Sequence, residues 1–416
     1  MRLWAAQTVS SFGARIAREG FAMAAILSIH ARPDQLGLLA ALAFAPSMIV
    51  GLVAGGFVDR TSRRSIMIAC DLARTAMILT IPIAAWFGVL TMNQLYVIAL
   101  VVGGANVLFA IADHAFLPSL VQNSEIIEGN TKMGITESVA EIGGPALAGT
   151  LFQLFTAPFA MLFTAITYLI SAAFLFAIPA TNSPETQKGR PAGWYRDLRT
   201  ALAAVLEQPL VRPLLWMSLM PFGAFFSGLY MIYGLKVLGL SPALLGVIIA
   251  MGGIGAMAGA GLSARLCQAI GVGPTILVCV FASAIFIVPV PLASGPLWLK
   301  VALLTIAQLG GDAFGVAALI PIASLRQSVF PPKILGRTAA LFSATGGVAA
   351  IVGALVGGWL GSTIGVRPTL WVASAAYLLT PLFVLFSPLR KLGSIEDAVA
   401  ALSSPAKSPE APASAS

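Results

Sequence analysis

Twelve runs of apolar residues, each about 18–25 residues long, dominate this chain. As a helix, a run of that length spans the roughly 30 Å of hydrocarbon in a bilayer. Inside a bilayer only helices or closed barrels satisfy every backbone N–H and C=O, so the runs demand helices. They fall at about 3–29, 37–58, 66–88, 93–115, 133–154, 158–178, 209–235, 243–264, 273–293, 297–321, 338–361 and 367–387. Turn signals such as Arg32-Pro33-Asp34, Ala157-Pro158, Ser241-Pro242 and Ser294-Gly295-Pro296 separate them. Charged residues are only 10% of 416, too few to coat a soluble protein of this size. The first run carries Arg15, Arg18 and Glu19, with no small-residue cleavage site after it, so it reads as a span and not a signal peptide.

The positive charges set an orientation. With the amino terminus in the cytoplasm, the even-numbered connections and the chain ends hold sixteen Lys and Arg, while the outer connections hold four: Arg32, Lys236, Lys300 and Arg367. By the positive-inside rule both termini are cytoplasmic. The same asymmetry accounts for the net charge of +8 without nucleic acid, because the charges face the cytosol and anionic lipid heads.

The longest interior connection, 180–208, contains Pro184, Lys188-Gly189-Arg190-Pro191 and an amphipathic stretch from Trp194 to Leu206. It divides the chain into an N-terminal six-helix half at 1–179 and a C-terminal half at 209–388. The Ala-, Ser- and Pro-rich tail at 389–416 is expected to be disordered. Gly103-Gly104 recurs 207 residues later as Gly310-Gly311, and Ala146-Leu147-Ala148-Gly149 recurs 208 residues later as Ala354-Leu355-Val356-Gly357. The shared offset points to a duplication, and two parallel halves suit a carrier with its substrate between them at mid-membrane.

Several motifs then converge. Gly55-Gly56-Phe57-Val58-Asp59-Arg60-Thr61-Ser62-Arg63-Arg64 resembles the cytoplasmic loop signature of the major facilitator superfamily. Ile68-Ala69-Cys70-Asp71-Leu72-Ala73-Arg74 resembles the start of the third helix in the branch of macrolide-efflux and enterobactin-exporter-like carriers. Phe116-Leu117-Pro118-Ser119-Leu120-Val121 extends the likeness, and Gly143-Gly144-Pro145-Ala146-Leu147-Ala148-Gly149 is similar to the fifth-helix motif associated with antiporters. The matching second-half loop, Gly261 to Gly273, keeps Arg265 but has neither the aspartate nor the basic pair, and the fourth-helix arginine motif of many proton antiporters is missing. The resemblance implies the major facilitator fold, an all-α polytopic membrane protein with twelve transmembrane helices in two six-helix halves. It also implies a gate in which Asp59, flanked by Gly55 and by Arg60, Arg63 and Arg64, latches the inner face. Asp113 is a candidate partner. The plainer reading of this loop is a topology anchor.

Charges inside the spans are the other candidates, since each costs about 2.5–3.5 kcal/mol there unless paired or wetted. Arg15 and Glu19 share a helix face, whereas Arg18 and Glu19 are adjacent and diverge, so a partner on another helix or a wet cavity is required. Glu137 and Glu141 repel at i, i+4 unless arginines face them. A network of Arg15, Arg18, Glu19 and Glu141 between the first and fifth spans follows, either as a substrate or proton site or as a static ion cluster. Asp312, after Gly310-Gly311, has no basic neighbour in sequence and either faces the cavity or is hydrogen-bonded in protonated form. Asp71 and Arg74 read as a local structural pair. Gly144, Pro145 and Gly149 bend the fifth span and fit it to the interface between halves, with Gly252, Gly253, Gly255, Gly259 and Gly261 as the second-half counterpart.

No cofactor is expected. His30 and His114 stand alone, Cys70, Cys267 and Cys279 show no metal spacing, and no phosphate-cradling Gly-Lys-Ser or Gly-Lys-Thr occurs. No nucleophile–base set suggests an enzyme. The reading is a monomeric multi-pass carrier of the cell inner membrane, exporting a small molecule against protons by alternating access. An importer or uniporter of the same fold, or a non-transporting receptor or assembly factor, remains the alternative.

Overall fold

The computed structural model describes residues 1–58, 61–117, 120, 122, 125–179, 194–220 and 224–403. Among them every regular element is helical. Helices α1 (Arg2–Ser28), α2 (Pro33–Val58), α3 (Arg63–Trp86), α4 (Met92–Phe116), α5 (Ile126–Leu154) and α6 (Ala157–Phe176) pack into one bundle. After α7 (Trp194–Glu207) comes a second bundle: α8 (Arg212–Ser218), α9 (Phe225–Ile232), α10 (Pro242–Ile270), α11 (Val272–Ile287), α12 (Pro289–Leu292), α13 (Leu297–Val329), α14 (Pro332–Thr363), α15 (Val366–Tyr377) and α16 (Leu382–Leu385). Eight of the described helical stretches are long and apolar enough to cross a membrane. Ile83, Trp86, Ile166, Leu169, Phe281 and Ile285 stand exposed on the outside of the bundles, a surface that suits lipid and not water.

Local chemistry sets the helix ends. Ser62, Thr91 and Ser241 cap α3, α4 and α10 by accepting from the backbone N–H three residues on. Gly271 turns the chain between α10 and α11 at φ +90°, a conformation open to glycine. Three expected spans are interrupted. The 209–235 run becomes α8, α9 and a π-helical turn at Tyr233–Val237. The 273–293 run breaks before Pro289, and the 367–387 run breaks between α15 and α16.

The amphipathic stretch of the connection forms α7, which lies on α14 and is pinned by Arg337 Nε to Asp197 Oδ1 at 3.0 Å. The tail does not go disordered at 389. Pro388–Lys391 is a 3₁₀ turn, Ile395–Ser403 forms α17 against α13, and Leu389, Leu392 and Ala398 are buried. The Val272 and Gly273 amides donate to the Gly393 and Leu392 carbonyls at 3.0 and 2.8 Å, so the tail is stitched to the start of α11. Three small apolar anchors and a glycine contact do this, a signal that composition hides. Residues 404–416 lie outside the described residues.

The bundles meet along two crossings, α2 on α14 and α5 on α10. A Cβ on Gly37 would stand 2.9 Å from Gly358 Cα, and one on Gly149 would stand 3.0 Å from Gly246 Cα. Backbones therefore touch at the end that carries the 29–32, 155–156 and 238–241 turns. Toward the other end Gly134, Gly261, Gly336 and Gly346 have nothing within 4 Å. The cores follow the same geometry. One buried cluster, including Ile16, Leu36, Ile98, Leu245 and Leu304, runs through both bundles at the tight end. At the loose end each bundle has its own, Ile66 to Phe116 in the first and Ile276 to Leu341 in the second.

Candidate functional site

Between the bundles lies a cavity of about 880 Å³. Its wall in the first bundle carries Arg15, Arg18, Glu19, Arg74, Asp113 and Glu137, and Asp312 faces them from α13. The sequence places these groups by periodicity: Ser11, Arg15, Arg18 and Ala22 follow one face of α1, and Gln308, Gly311, Asp312 and Gly315 one face of α13.

Charged groups of α1 and α5 do meet, with one difference from the expected pairing. Glu141 accepts from both arginines: Arg15 Nη1 pairs with Oε2, and Arg18 Nη2 reaches Oε1 at 3.0 Å. Arg18 Nε also donates to Glu19 Oε1 at 3.2 Å. Neighbours on a helix were expected to diverge, but the long Arg18 side chain folds back along its own helix to meet Glu19. Close approach makes the network possible. A Cβ on Gly144 would lie 2.5 Å from Arg15 Cβ, so only a bare glycine lets α1 pass at this height. Gly144 thus faces α1 and not the second bundle. Pro145 and Gly149 do face the second bundle: a Cβ on Gly246 would fall on the Pro145 carbonyl oxygen, and one on Gly149 on the Pro242 carbonyl oxygen. The glycines of α10 divide likewise. Gly253 meets Ile142 of α5, whereas Gly252, Gly255 and Gly259 meet α13 and Gly261 meets nothing.

Asp312 has room because α10 has no side chain at Gly252, where a Cβ would collide with its carboxylate. No hydrogen bond or ion pair holds that carboxylate among the described residues. Glu141 and Arg18 are the charged groups that act on it across the cavity.

Asp71 and Arg74, read from sequence as a local pair, turn out to be the most deeply buried charges described. Arg74 Nη2 pairs with Asp71 Oδ1, and its Nη1 donates to Asn106 Oδ1 at 2.8 Å. Ser171 donates to Asp71 Oδ2 at 2.7 Å. The guanidinium lies 4.4 Å from the Phe109 ring centre and 4.2 Å from that of Tyr168. It also lines the cavity. Sequence reasoning found the i, i+3 pair but could not see Asn106, Ser171, Phe109 and Tyr168 close around it from other helices. Tyr230, Tyr377 and Gln308 were likewise missed on the cavity wall, since lone polar residues in apolar runs carry no spacing signal.

The gate loop is partly visible. Asp59 and Arg60 lie outside the described residues, and Gly55 lies in α2 with its surroundings undescribed. Arg64 is occupied within its own bundle: Nε and Nη2 donate to the Leu175 and Phe176 carbonyls at the end of α6, both at 2.8 Å. Arg63 begins α3 beside it. Asp113 is buried near the end of α4, on the cavity wall.

A multi-pass helical bundle around a wet, charged, central cavity closed at one end defines a membrane transporter. Residues 1–411 match the family described as transmembrane secretion effector, and the chain belongs to the major facilitator superfamily. It is 25% identical over 398 residues to YfiS of Bacillus subtilis (strain 168), an uncharacterized MFS-type transporter, covering 92% of each chain. It is 30% identical over 277 residues to the MFS-type transporter y4rN of Sinorhizobium fredii (strain NBRC 101917 / NGR234), covering 61% of this chain and 64% of that one. Among solved structures, the nucleoside transporter NupG superposes with a TM-score of 0.78 at 11% identity, over 92% of this chain and 97% of that one. The D-xylose-proton symporter superposes with 0.70 at 15% identity, over 94% and 98%. At such identities these structures speak for the fold alone.

Proposed function

We propose that this chain is a proton-coupled exporter of the cell inner membrane, moving a small molecule outward by alternating access. It belongs, on this reading, with the macrolide-efflux and enterobactin-exporter-like carriers. Its working parts are two six-helix units, residues 1–179 and 209–388, joined by 180–208, with both termini cytoplasmic and the protein acting as a monomer. The positive charge of the even-numbered connections supports that sidedness. It makes the tight end periplasmic, so the cavity opens to the cytoplasm, the loading state of an exporter. The family description as a secretion effector supports the direction.

One observation carries the reading: Glu141 bridges Arg15 and Arg18 on the wall of an 880 Å³ cavity, with Glu19 on the same guanidinium as Glu141 and Asp312 opposite. Two carboxylates sharing two cations form a coupled set in which proton uptake by one re-deals the pairing of the others. The latch of Asp59, Arg60, Arg63 and Arg64, with Gly55 and Asp113, belongs to the opposite state, when the inner ends meet. Arg64 then has to leave or keep the α6 end while its neighbours engage. The test is reconstitution in vesicles holding a pH-sensitive dye, with an imposed pH gradient and a panel of solutes. Solute-dependent proton movement is expected in the wild type and is lost in Glu19→Gln and Glu141→Gln. Unchanged coupled flux in Glu19→Gln, Glu141→Gln and Asp312→Asn alike would reject these coupling sites.

A further inference from the structure

The cavity charges do not balance: acidic groups outnumber the cations, with Glu137 and Asp113 in excess on the first bundle and Asp312 on the second. Arg15 and Arg18 are met by Glu141 and Glu19, and Arg74 by Asp71. Glu137 stands close enough to Arg15 to act on it. Asp312 alone comes from the second bundle, and among the described residues no cation of that bundle lines the cavity. Its side chain is open to the cavity water, and no described donor satisfies it. Around it the wall is aromatic and polar but uncharged: Tyr230, Tyr377, Phe226 and Gln308. Tyr230 adds an independent sign. Its hydroxyl oxygen is sealed from solvent with no hydrogen-bond partner, although both Asp312 and Glu19 act on it electrostatically. A buried hydroxyl left unmade costs about 1–3 kcal/mol, so such a group marks a place where a partner belongs.

We infer that Asp312, with Tyr230, is the anchor for a protonated amine, and that the transported solute is an organic cation bearing an aromatic or apolar body. This rests on the transport reading above and names its substrate class. An ammonium supplies the donors that Asp312 and the Tyr230 oxygen lack, and a methylene next to a positive nitrogen packs favourably on the faces of Tyr230 and Tyr377. The arginines are weaker candidates for an anion site, since Glu141 and Glu19 already neutralise their charge. A cavity of 880 Å³ suits a drug-sized body. The division of labour is then spatial: the ion-paired arginines of the first bundle face the single carboxylate that the second bundle brings to the cavity.

Equilibrium binding to the purified full chain in detergent tests this without any gradient, so it does not depend on coupling or direction. Three probes share one aromatic body: 2-(1-naphthyl)ethylamine, its N-acetyl derivative and 1-naphthylacetate, read by quenching of protein fluorescence at neutral pH. The amine is expected to bind about tenfold tighter than the neutral or anionic probe, and Asp312→Asn is expected to erase that preference while leaving the amide unchanged. Tyr230→Phe removes a hydroxyl that holds nothing in the fold, so the variant folds. It is expected to weaken the amine about threefold and the amide not at all. Equal binding of amine and amide, strongest binding of the carboxylate, or an intact amine preference in either variant would overturn the inference. No solute-dependent proton movement in the wild type, or unchanged coupling in Glu19→Gln, Glu141→Gln and Asp312→Asn, with the amine preference intact, would instead reject the coupling reading and leave this one standing.

Discussion

Gly149 gives the sharpest handle on the conformational cycle. A Cβ placed there falls on the Pro242 carbonyl oxygen and stands 3.0 Å from Gly246 Cα and 3.1 Å from Ala243 Cα. All three are backbone atoms of one helix, so no side chain can rotate away and α10 itself has to yield. Inserting one methyl into a tight contact costs typically about 1–3 kcal/mol. In the opposite state of the cycle α5 and α10 separate at this end, and the methyl meets nothing. Gly149→Ala therefore disfavours the present state by about 2 kcal/mol, roughly a 30-fold shift of the equilibrium at about 1.4 kcal/mol per tenfold. Spin labels at Ile135 and Ile270, exposed toward the loose ends of α5 and α10, report it once Cys267 is replaced by Ser. The distance distribution is expected to move from long to short in Gly149→Ala. Gly134→Ala, with nothing within 4 Å, is the matched control and leaves it unchanged. An unchanged distribution in a folded Gly149→Ala protein would refute the reasoning, because the crossing would then be relieved by sliding and not by opening.

Other substitutions separate structural charges from working ones. Asp71→Asn leaves the Arg74 guanidinium buried without its carboxylate, a loss of about 3–5 kcal/mol, read as a lower midpoint of unfolding in detergent; Asp71→Asn with Arg74→Met regains most of it. Glu141→Gln takes the carboxylate from Arg15 and leaves Arg18 to Glu19, both already facing the cavity, so it costs only about 1–2 kcal/mol of stability, while solute-driven proton movement in vesicles is expected to fall to background. Arg64→Ala removes two charge-assisted bonds at the end of α6, about 1 kcal/mol after solvent screening, and raises amide exchange at Ala177 and Ile178 without touching solute binding.

The spans were legible because hydrocarbon imposes length and apolarity together, and α3, α4 and α6 match the expected runs closely. Where helices run on into water, apolarity undercounts them: α5 begins at Ile126 and α13 continues to Val329, well past the apolar stretches. The meeting of Arg15, Arg18 and Glu141 was legible too, since lone charges in a span need partners and only a few are available. What sequence spacing could not supply is the third dimension. Gly144 looked like part of an interface between bundles and is the notch through which Arg15 reaches Glu141. Asp71–Arg74 looked like an ordinary local pair, and four residues from α4 and α6 make it a buried junction.

The arrangement of the cores bears on how such a molecule can move at all. At the loose end each bundle keeps a core of its own, so rotating one bundle against the other leaves those cores intact. At the tight end a single core runs through both, and opening there has to part the α2–α14 and α5–α10 crossings. In water that would expose a large apolar area at about 25 cal/mol per Å². The parted surface lines a path from water to the cavity, so the apolar area buried in the seam sets the cost of opening. The seam is accordingly built from glycine crossings, with the Ala243 amide donating to Gln153 Oε1 at 3.2 Å across it. A seam made of shape and not of ion pairs separates without leaving a charge unpaired. The charged groups remain in the cavity and are not spent on holding the bundles together.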